Sequence, residues 1–243
     1  MSKLYIVATP IGNLEDITLR ALRILGEVDY VLCEDTRVTQ KLLNHHSIKA
    51  KTISYHQHSK IAKVDYILDL LKQGNDLALV SDSGTPGISD PGGKLVREVV
   101  EKLGEEVKIE SVPGPSAVTT ALSISGLPTD KFAFLGFPPH KKGRQKFLKN
   151  IFQYNFPVVV YESKHRIVKF LREVEELDSK AYLFICRELT KIHETVYRGS
   201  VEEILEAIES EQEGAIKEKG EFVVIIGRVK DKKGEGLRKK GEG

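Results

Sequence analysis

Residues 77–103 read LALVSDSGTPGISDPGGKLVREVVEKL. Leu77–Val80 is a short apolar run, as expected of a strand buried on both faces. Leu95, Val96, Val99, Val100 and Leu103 fall at helical spacing. Between them lie the thirteen residues Ser81 to Gly93, rich in Gly, Pro and Asp. A purely structural strand-to-helix connection takes about 2–6 residues, so this loop is read as a ligand contact. Glycine lets backbone approach a ligand without a Cβ in the way, and proline removes competing conformations.

The same alternation extends in both directions. Upstream, strands are read at Leu4–Ala8, Val28–Cys33 and Thr52–Tyr55. A helix carries Leu19, Leu22 and Ile24–Leu25, with Asn13 or Asp16 as its cap. A second helix runs from a Thr36 cap to Leu43, and a third carries Val64, Ile67, Leu68 and Leu71. Downstream come a strand at Val107–Val112 and a helix at Ser116–Ser125. Ser125 to Thr129 reads as a linker. Beyond it, strands are read at Phe132–Phe137, Val158–Tyr161, Tyr182–Cys186, Thr195–Arg198 and Phe222–Val229. Helices are read at Gly143–Phe152, around Ile167–Val174, and around Val201–Ile208. Repeated strand and helix predict an α/β protein: a parallel sheet in residues 1–126, a mixed sheet in 127–229, and a basic Gly/Lys tail at 230–243.

The 243 residues are 40% apolar and 30% charged, which excludes a mainly disordered chain. No apolar run approaches the ~18 residues of a membrane span. MSKLYIVATPIGN lacks the apolar core and cleavage site of a secretory signal. Cys33 and Cys186 sit in apolar runs and read as free buried thiols, which points to the cytoplasm. The net charge of +2 is uneven, at −2 over residues 1–126 and +4 over 127–243. The basic excess lies at Lys141, Lys142, Arg144, Lys146 and Lys149 and in the tail. Such blocks serve as phosphate contacts or as solvated faces.

Loops at the carboxyl ends of α/β strands are where ligands bind. Besides 81–93, these include Ala8–Asn13, Val112–Ser116 and Gly220–Phe222. GxGxxG, GxxxxGK[ST] and GxSxG are absent from these loops, which disfavours a hydride-transfer enzyme or a P-loop ATPase. His45, His46, His56 and His58 lack a CxxC or HExxH to complete a metal site. Asp82 and Asp90 could hold magnesium, but loop aspartates more often bond their own backbone, so no metal is expected. Three charged constellations stand at strand ends: Cys33 to Arg37, Tyr161 to Arg166, and Arg187 to Lys191. Asp35 or Thr36 could equally be a helix cap.

VATPIGNLEDIT, CEDTR, SYHQHS, SDSGTPGISDPG, VPGPSA, FLGFPP, YESKHR, RELTK and GEFV occur in this order. Together they resemble the tetrapyrrole methylase superfamily, and within it the branch that methylates small-subunit ribosomal RNA, from about Leu4 to Val229. The resemblance implies two α/β domains with S-adenosylmethionine in an interdomain cleft. It implies a homodimer and 2′-O-methylation of a cytidine ribose, on free small-subunit ribosomal RNA or on the assembled small subunit. Tetrapyrrole branches carry a GDP-type loop where this chain has Ser83-Gly84-Thr85.

By position, the resemblance puts Ile11, Gly84, Gly87, Ile88, Ser116 and Ala117 on the cofactor. It adds Tyr161, Glu162, Arg187, Glu188, Gly220 and Glu221 from the second half. A ribose hydroxyl is a very weak acid and needs a base or a charge to lower its pKa. Asp35, Glu162 and Lys164 are the candidates. Arg37, Lys141, Lys142, Arg144 and Arg166 are expected on RNA phosphate, with Tyr55 or His56 stacked on a base. Two rivals are a small-molecule methylase of the tetrapyrrole type and an RNA-binding protein without chemistry. The basic helix speaks against the first, the intact glycine loops against the second.

Overall fold

The computed structural model describes residues 1–56, 59, 61–210 and 220–227. His58 and the tail at 230–243 lie outside the described residues, as do the last two residues of the expected 222–229 strand. Contacts divide the chain into two compact units, Met1–Ala117 and Val118–Gly243.

In the first unit, β1 (Ser2–Val7), β2 (Tyr30–Cys33), β3 (Thr52–Ser54), β4 (Leu77–Leu79) and β5 (Val107–Val112) form one sheet in the order β3-β2-β4-β1-β5. All its pairings are parallel. Alternate residues of each strand face opposite sides. Val7, Val31 and Val112 therefore pack on α1 (Leu19–Glu27) and α2 (Thr36–His45). Leu4, Leu32 and Leu79 pack on α3 (Ile61–Lys72) and α4 (Gly92–Leu103). Right-handed crossovers require this division, because the chain moves one way from β1 to β3 and the other way from β3 to β5. The loops leaving the neighbours β1 and β4 thus turn to opposite faces. This is a switch point of the kind where α/β sheets bind ligands.

The caps differ from expectation by a few residues. Asn13 caps only a short 3-10 turn at Leu14–Asp16. Thr18 caps α1, its Oγ1 accepting from Ala21 N at 3.1 Å. Asp35, not Thr36, caps α2.

In the second unit, β6 (Ala133–Phe134), β7 (Val158–Ser163), β8 (Tyr182–Arg187), β9 (Thr195–Ser200) and β10 (Glu221–Gly227) make a mixed sheet in the order β6-β7-β10-β8-β9. Only β6 and β7 run parallel. β6 is shorter than the apolar run suggested; backbone bonds to β7 continue as far as the Gly136 carbonyl, and Gly136, with φ 66°, ends the extended stretch. Val160, Ile185, Val224 and their neighbours pack on α6 (Arg144–Ile151), α7 (Ile167–Glu175) and α8 (Val201–Glu209). The helix α5 (Ala117–Ser125) contacts strands of this sheet, with Arg198 Nη2 donating to the Ile124 carbonyl at 3.0 Å. Leu127 packs so closely over Gly227 that a Cβ there would lie 2.7 Å from it.

Cys33 and Cys186 are free and buried. Burial pushes the Cys186 thiol up to about 12. No described helix is long and apolar enough to cross a membrane.

Candidate active site

Three loops meet at the carboxyl end of the first sheet, and their own polar groups join them. The β1 loop and the β4 loop form a two-residue bridge. Thr9 N donates to the Gly84 carbonyl at 3.0 Å, and Gly84 N donates back to the Thr9 carbonyl at 3.1 Å. Thr9 Oγ1 donates to the Ser81 carbonyl at 3.0 Å, and Ser81 Oγ to the Gly84 carbonyl at 3.1 Å. Thr85 Oγ1 reaches the Pro115 carbonyl of the β5 loop at 3.1 Å. Gly114 lies against the β1 loop so closely that a Cβ would stand 3.0 Å from Ala8 Cβ.

This arrangement places Ile11 beside Gly84, whose Cβ would stand 3.4 Å from Ile11 Cγ2. Gly84 and Gly87 have φ of 80° and 88°, which L side chains rarely adopt. Asp90 serves as a turn former. Its Oδ1 accepts from Gly87 N and Gly92 N, each at 2.7 Å. Ile88 is exposed, and Ser116 and Ala117 are half-buried. Sequence reasoning singled out the glycines but missed Thr9, Ser81 and Thr85, which tie the loops together. For Thr9 and Ser81 the signal is a hydroxyl directly after a buried apolar run; Thr85, inside the loop, carries no such signal.

The charge of these loops is one-sided. Residues 8–18, 81–93 and 112–117 contain no Lys or Arg, but hold Glu15, Asp16, Asp82 and Asp90. The neighbouring Glu34 carboxyl is raised by burial and by the charges of Asp82 and Asp90. Such a setting disfavours phosphates. It suits a ligand with positive charge and hydrogen-bonding edges.

Asp35 stands beside the long loop, its backbone N donating to Asp82 Oδ1 at 3.1 Å. Its own carboxylate caps α2 through Arg37 N at 2.8 Å and pairs with the Arg37 guanidinium at 2.6 Å. These contacts, the Arg37 side chain foremost, hold the Asp35 carboxyl down to about 2. So low a value makes a weak base. A depressed folded value stabilises above the unfolded pKa of about 3.9 and is lost as pH falls through the folded one. Asp35→Asn keeps the capping oxygen and removes the charge. Its deficit in urea midpoint against wild type is expected to shrink as pH falls from 5 to 2; a deficit that stays constant would remove this linkage.

In the second unit, adjacent residues of β7 face opposite sides, so Tyr161 and Glu162 do not share a surface. Tyr161 is half-buried with its hydroxyl at the Val118 amide, and burial pushes it up to about 12. Glu162 lies on the helix-covered face and is 1% exposed. Its Oε1 accepts from Ser163 N and from Arg166 Nη2, both at 2.7 Å. Its Oε2 has no hydrogen bond and faces Arg144 Nη1 at 3.8 Å.

At the other end of the constellation, Glu188 N donates to the Glu221 carbonyl at 2.9 Å, and Glu221 N to Glu188 Oε1 at 2.8 Å. Lys191 Nζ bridges the two carboxylates at 3.1 and 2.9 Å. Gly220 has φ 113°, and a Cβ there would lie 2.6 Å from Glu188 Cγ. Glu188 and Thr190 hold φ of 53° and 64°, costly for non-glycine residues and common at functional sites. Arg187 is buried and donates to the His193 carbonyl at 3.2 Å.

Residues 3–205 match the family of Tetrapyrrole (Corrin/Porphyrin) Methylases. The chain belongs to the tetrapyrrole methylase family. It is a methyltransferase by that membership. It is 44% identical over 226 residues to a ribosomal RNA small subunit methyltransferase I of Thermotoga maritima, covering 93% of this chain and 98% of the relative. It is 43% identical over 226 residues to the protein of that name from Escherichia coli O157:H7, covering 92% and 77%. Among solved structures, a cobalt precorrin-4 methyltransferase of cobalamin biosynthesis has a TM-score of 0.65 at 21% identity, covering 93% of this chain and 94% of that one. The methyltransferase CobJ has 0.68 at 16%, covering 94% and 95%. The structural likenesses show the fold.

For a tetrapyrrole methylase expected to act on RNA, the basic residues divide sharply. Lys141, Lys142 and Lys164 are exposed and form no ion pair among the described residues. Arg37 is exposed but paired with Asp35. Arg144 is 5% exposed, and its guanidinium is committed to Glu173 at 2.6 and 2.8 Å and to the Pro139 carbonyl at 3.0 Å. It has no surface to offer a phosphate. Arg166 is half-buried on Glu162 and the Pro138 carbonyl. Tyr55, expected to stack on a base, is 4% exposed and packs in the core with Ile67 and Leu95. His56 is exposed.

Proposed function

We propose that this chain transfers a methyl group from S-adenosylmethionine to the 2′-oxygen of a cytidine ribose in small-subunit ribosomal RNA. The carrying observation is the set of joined, cation-free glycine loops at the first sheet's switch point, in a chain 44% identical to a ribosomal RNA small subunit methyltransferase I. The bound cofactor supplies an electrophilic methyl on a sulfonium. Its charge and its ammonium fit loops that hold carboxylates and no cation, and the exposed Gly87, which carries no side chain, lets its adenine approach the long loop closely. Ile11, Ile88, Ser116 and Ala117 are proposed to complete the contacts from this unit.

Positioning carries much of the rate of such an in-line displacement. Of the three candidates for activating the ribose hydroxyl, Asp35 and Glu162 are engaged in caps and ion pairs. Lys164, exposed and unpaired among the described residues, is the one we propose, its charge stabilising the developing alkoxide while the hydroxyl proton passes to solvent. Lys141 and Lys142 would hold phosphate. We place the enzyme in the cytoplasm, acting as a homodimer.

The test is a transfer assay. Purified protein and tritiated S-adenosylmethionine are incubated with small subunits, or with naked ribosomal RNA, from cells lacking this enzyme. Label on a cytidine 2′-oxygen is the expected result. Cofactor binding without label on either RNA form would overturn the RNA assignment and favour a small-molecule acceptor.

A further inference from the structure

The segment Gly136-Phe137-Pro138-Pro139-His140-Lys141-Lys142-Gly143 joins β6 to α6, and its aromatic and proline residues have no role so far. Both end glycines adopt left-handed φ, 66° and 84°. Gly136 is fixed to β7 by Tyr161 N, which donates to its carbonyl at 3.0 Å. The middle is held from beneath by two arginines. Arg166 Nη1 donates to the Pro138 carbonyl at 3.1 Å, and Arg144 Nη1 to the Pro139 carbonyl at 3.0 Å. Each guanidinium is locked by a carboxylate, Arg166 by Glu162 and Arg144 by Glu173. Two prolines and two ion-paired arginine clamps restrict this loop, and the end glycines supply the left-handed turns that set its course.

Its outer surface is unlike its underside. Phe137 is 52% exposed, its ring 5.3 Å from that of Tyr161, which in turn lies 4.8 Å from Phe134. His140, Lys141 and Lys142 are exposed. The two lysines have no carboxylate partner among the described residues. An exposed aromatic ring, in one short loop with two exposed ammonium groups that form no ion pair among the described residues, is the combination that single-stranded RNA recognition uses, ring on base and cation on phosphate. Buried charges contribute little net stability, so stability alone gives no reason for this clamp.

We infer that the 136–143 loop is a preshaped docking platform for a single-stranded segment of the substrate RNA. Phe137 stacks on an unpaired base. Lys141 and Lys142 hold the phosphates beside it. Arg144, Arg166, Glu162 and Glu173 are positioning residues that hold the loop in its binding shape. This assignment rests on the RNA reading above and adds the surface that the RNA meets.

The test compares Phe137→Ala, Phe137→Tyr and the double variant Lys141→Ala/Lys142→Ala in the transfer assay on unmodified small-subunit RNA. Phe137→Ala is expected to raise KM for RNA by about 5- to 100-fold, with KM for S-adenosylmethionine and the melting temperature unchanged. Phe137→Tyr is expected to restore KM. The double lysine variant is expected to weaken RNA binding and to flatten the slope of log K against log salt by about 1.4, at about 0.7 per phosphate. An unchanged RNA KM in Phe137→Ala overturns the platform, as does a change of dimer dissociation in its place. Failure of the wild-type protein to label any RNA overturns the RNA reading itself, a different result.

Discussion

A Gly92→Val variant is expected to lose S-adenosylmethionine binding, by more than about 100-fold in calorimetric titration, while its second unit stays folded. A Cβ on Gly92 would stand 2.9 Å from Gly87 N, 2.9 Å from Asp90 Oδ1 and 3.2 Å from Leu79 Cδ2. Two of these three belong to the loop's own closure, since Asp90 Oδ1 is the acceptor for both Gly87 N and Gly92 N. The backbone must move, because Gly87 N is a main-chain atom that cannot swing aside as the Asp90 and Leu79 side chains can. Overpacking of this kind costs about 1–3 kcal/mol, and here the strain falls on the segment that presents Gly84 and Gly87.

Asp90→Ala approaches the same closure from the other side. It removes the one acceptor that both loop amides share, so the closure loses its tie while solvent can satisfy the exposed Gly87 amide. A loss of cofactor affinity smaller than that of Gly92→Val is expected. Gly93→Ala is the control for stability, because the nearest atom to its Cβ is 4.0 Å away. If Gly92→Val binds the cofactor like wild type, the 81–93 loop is not the cofactor site.

The first unit was legible because its strands are buried on both faces and its helices are amphipathic. Runs such as Leu77–Val80 and stripes such as Ile67, Leu68 and Leu71 leave little alternative. The second sheet was legible as mixed but not in its order. β10 enters between β7 and β8, a pairing across roughly sixty residues that no local pattern encodes. The glycine loops of the site were legible for a related reason, since a long irregular segment after a buried strand has few structural excuses.

Charged residues were the harder part. Arg144 reads as one of a basic cluster in KKGRQK, yet it lies at i, i+4 and i+7 with Leu148 and Ile151, all three buried. The helical period therefore assigned it to the inner face, and its charge drew attention away from that. Tyr161 and Glu162 look like one constellation in sequence. On a strand, neighbours point apart, and only the next shell of residues shows which face is open. Composition cannot tell a charge that meets substrate from one buried against a countercharge.

Glu162→Ala is expected to destabilise the second unit by about 3–5 kcal/mol and to lower the melting temperature on the order of 10 °C or more. The variant leaves Arg166 and Arg144 facing a void, with the Arg166 guanidinium stripped of the carboxylate at 2.7 Å. Since Glu162 is 1% exposed, salt should screen the loss little. A catalytic base predicts a different pattern. Glu162→Gln would then abolish turnover at an unchanged melting temperature. The clamp predicts that Gln, which keeps one acceptor for Ser163 N and for Arg166, loses part of the stability. It predicts turnover that falls through KM for RNA, because the Pro138 carbonyl is held by the same Arg166. Pairing Glu162→Gln with Arg166→Met removes the unbalanced charge. It should recover melting temperature without recovering KM, since the stability and the loop's shape depend on the arginine in different ways. Recovery of both would mean that the loop does not need the clamp, and recovery of neither would mean that the cost is packing rather than charge.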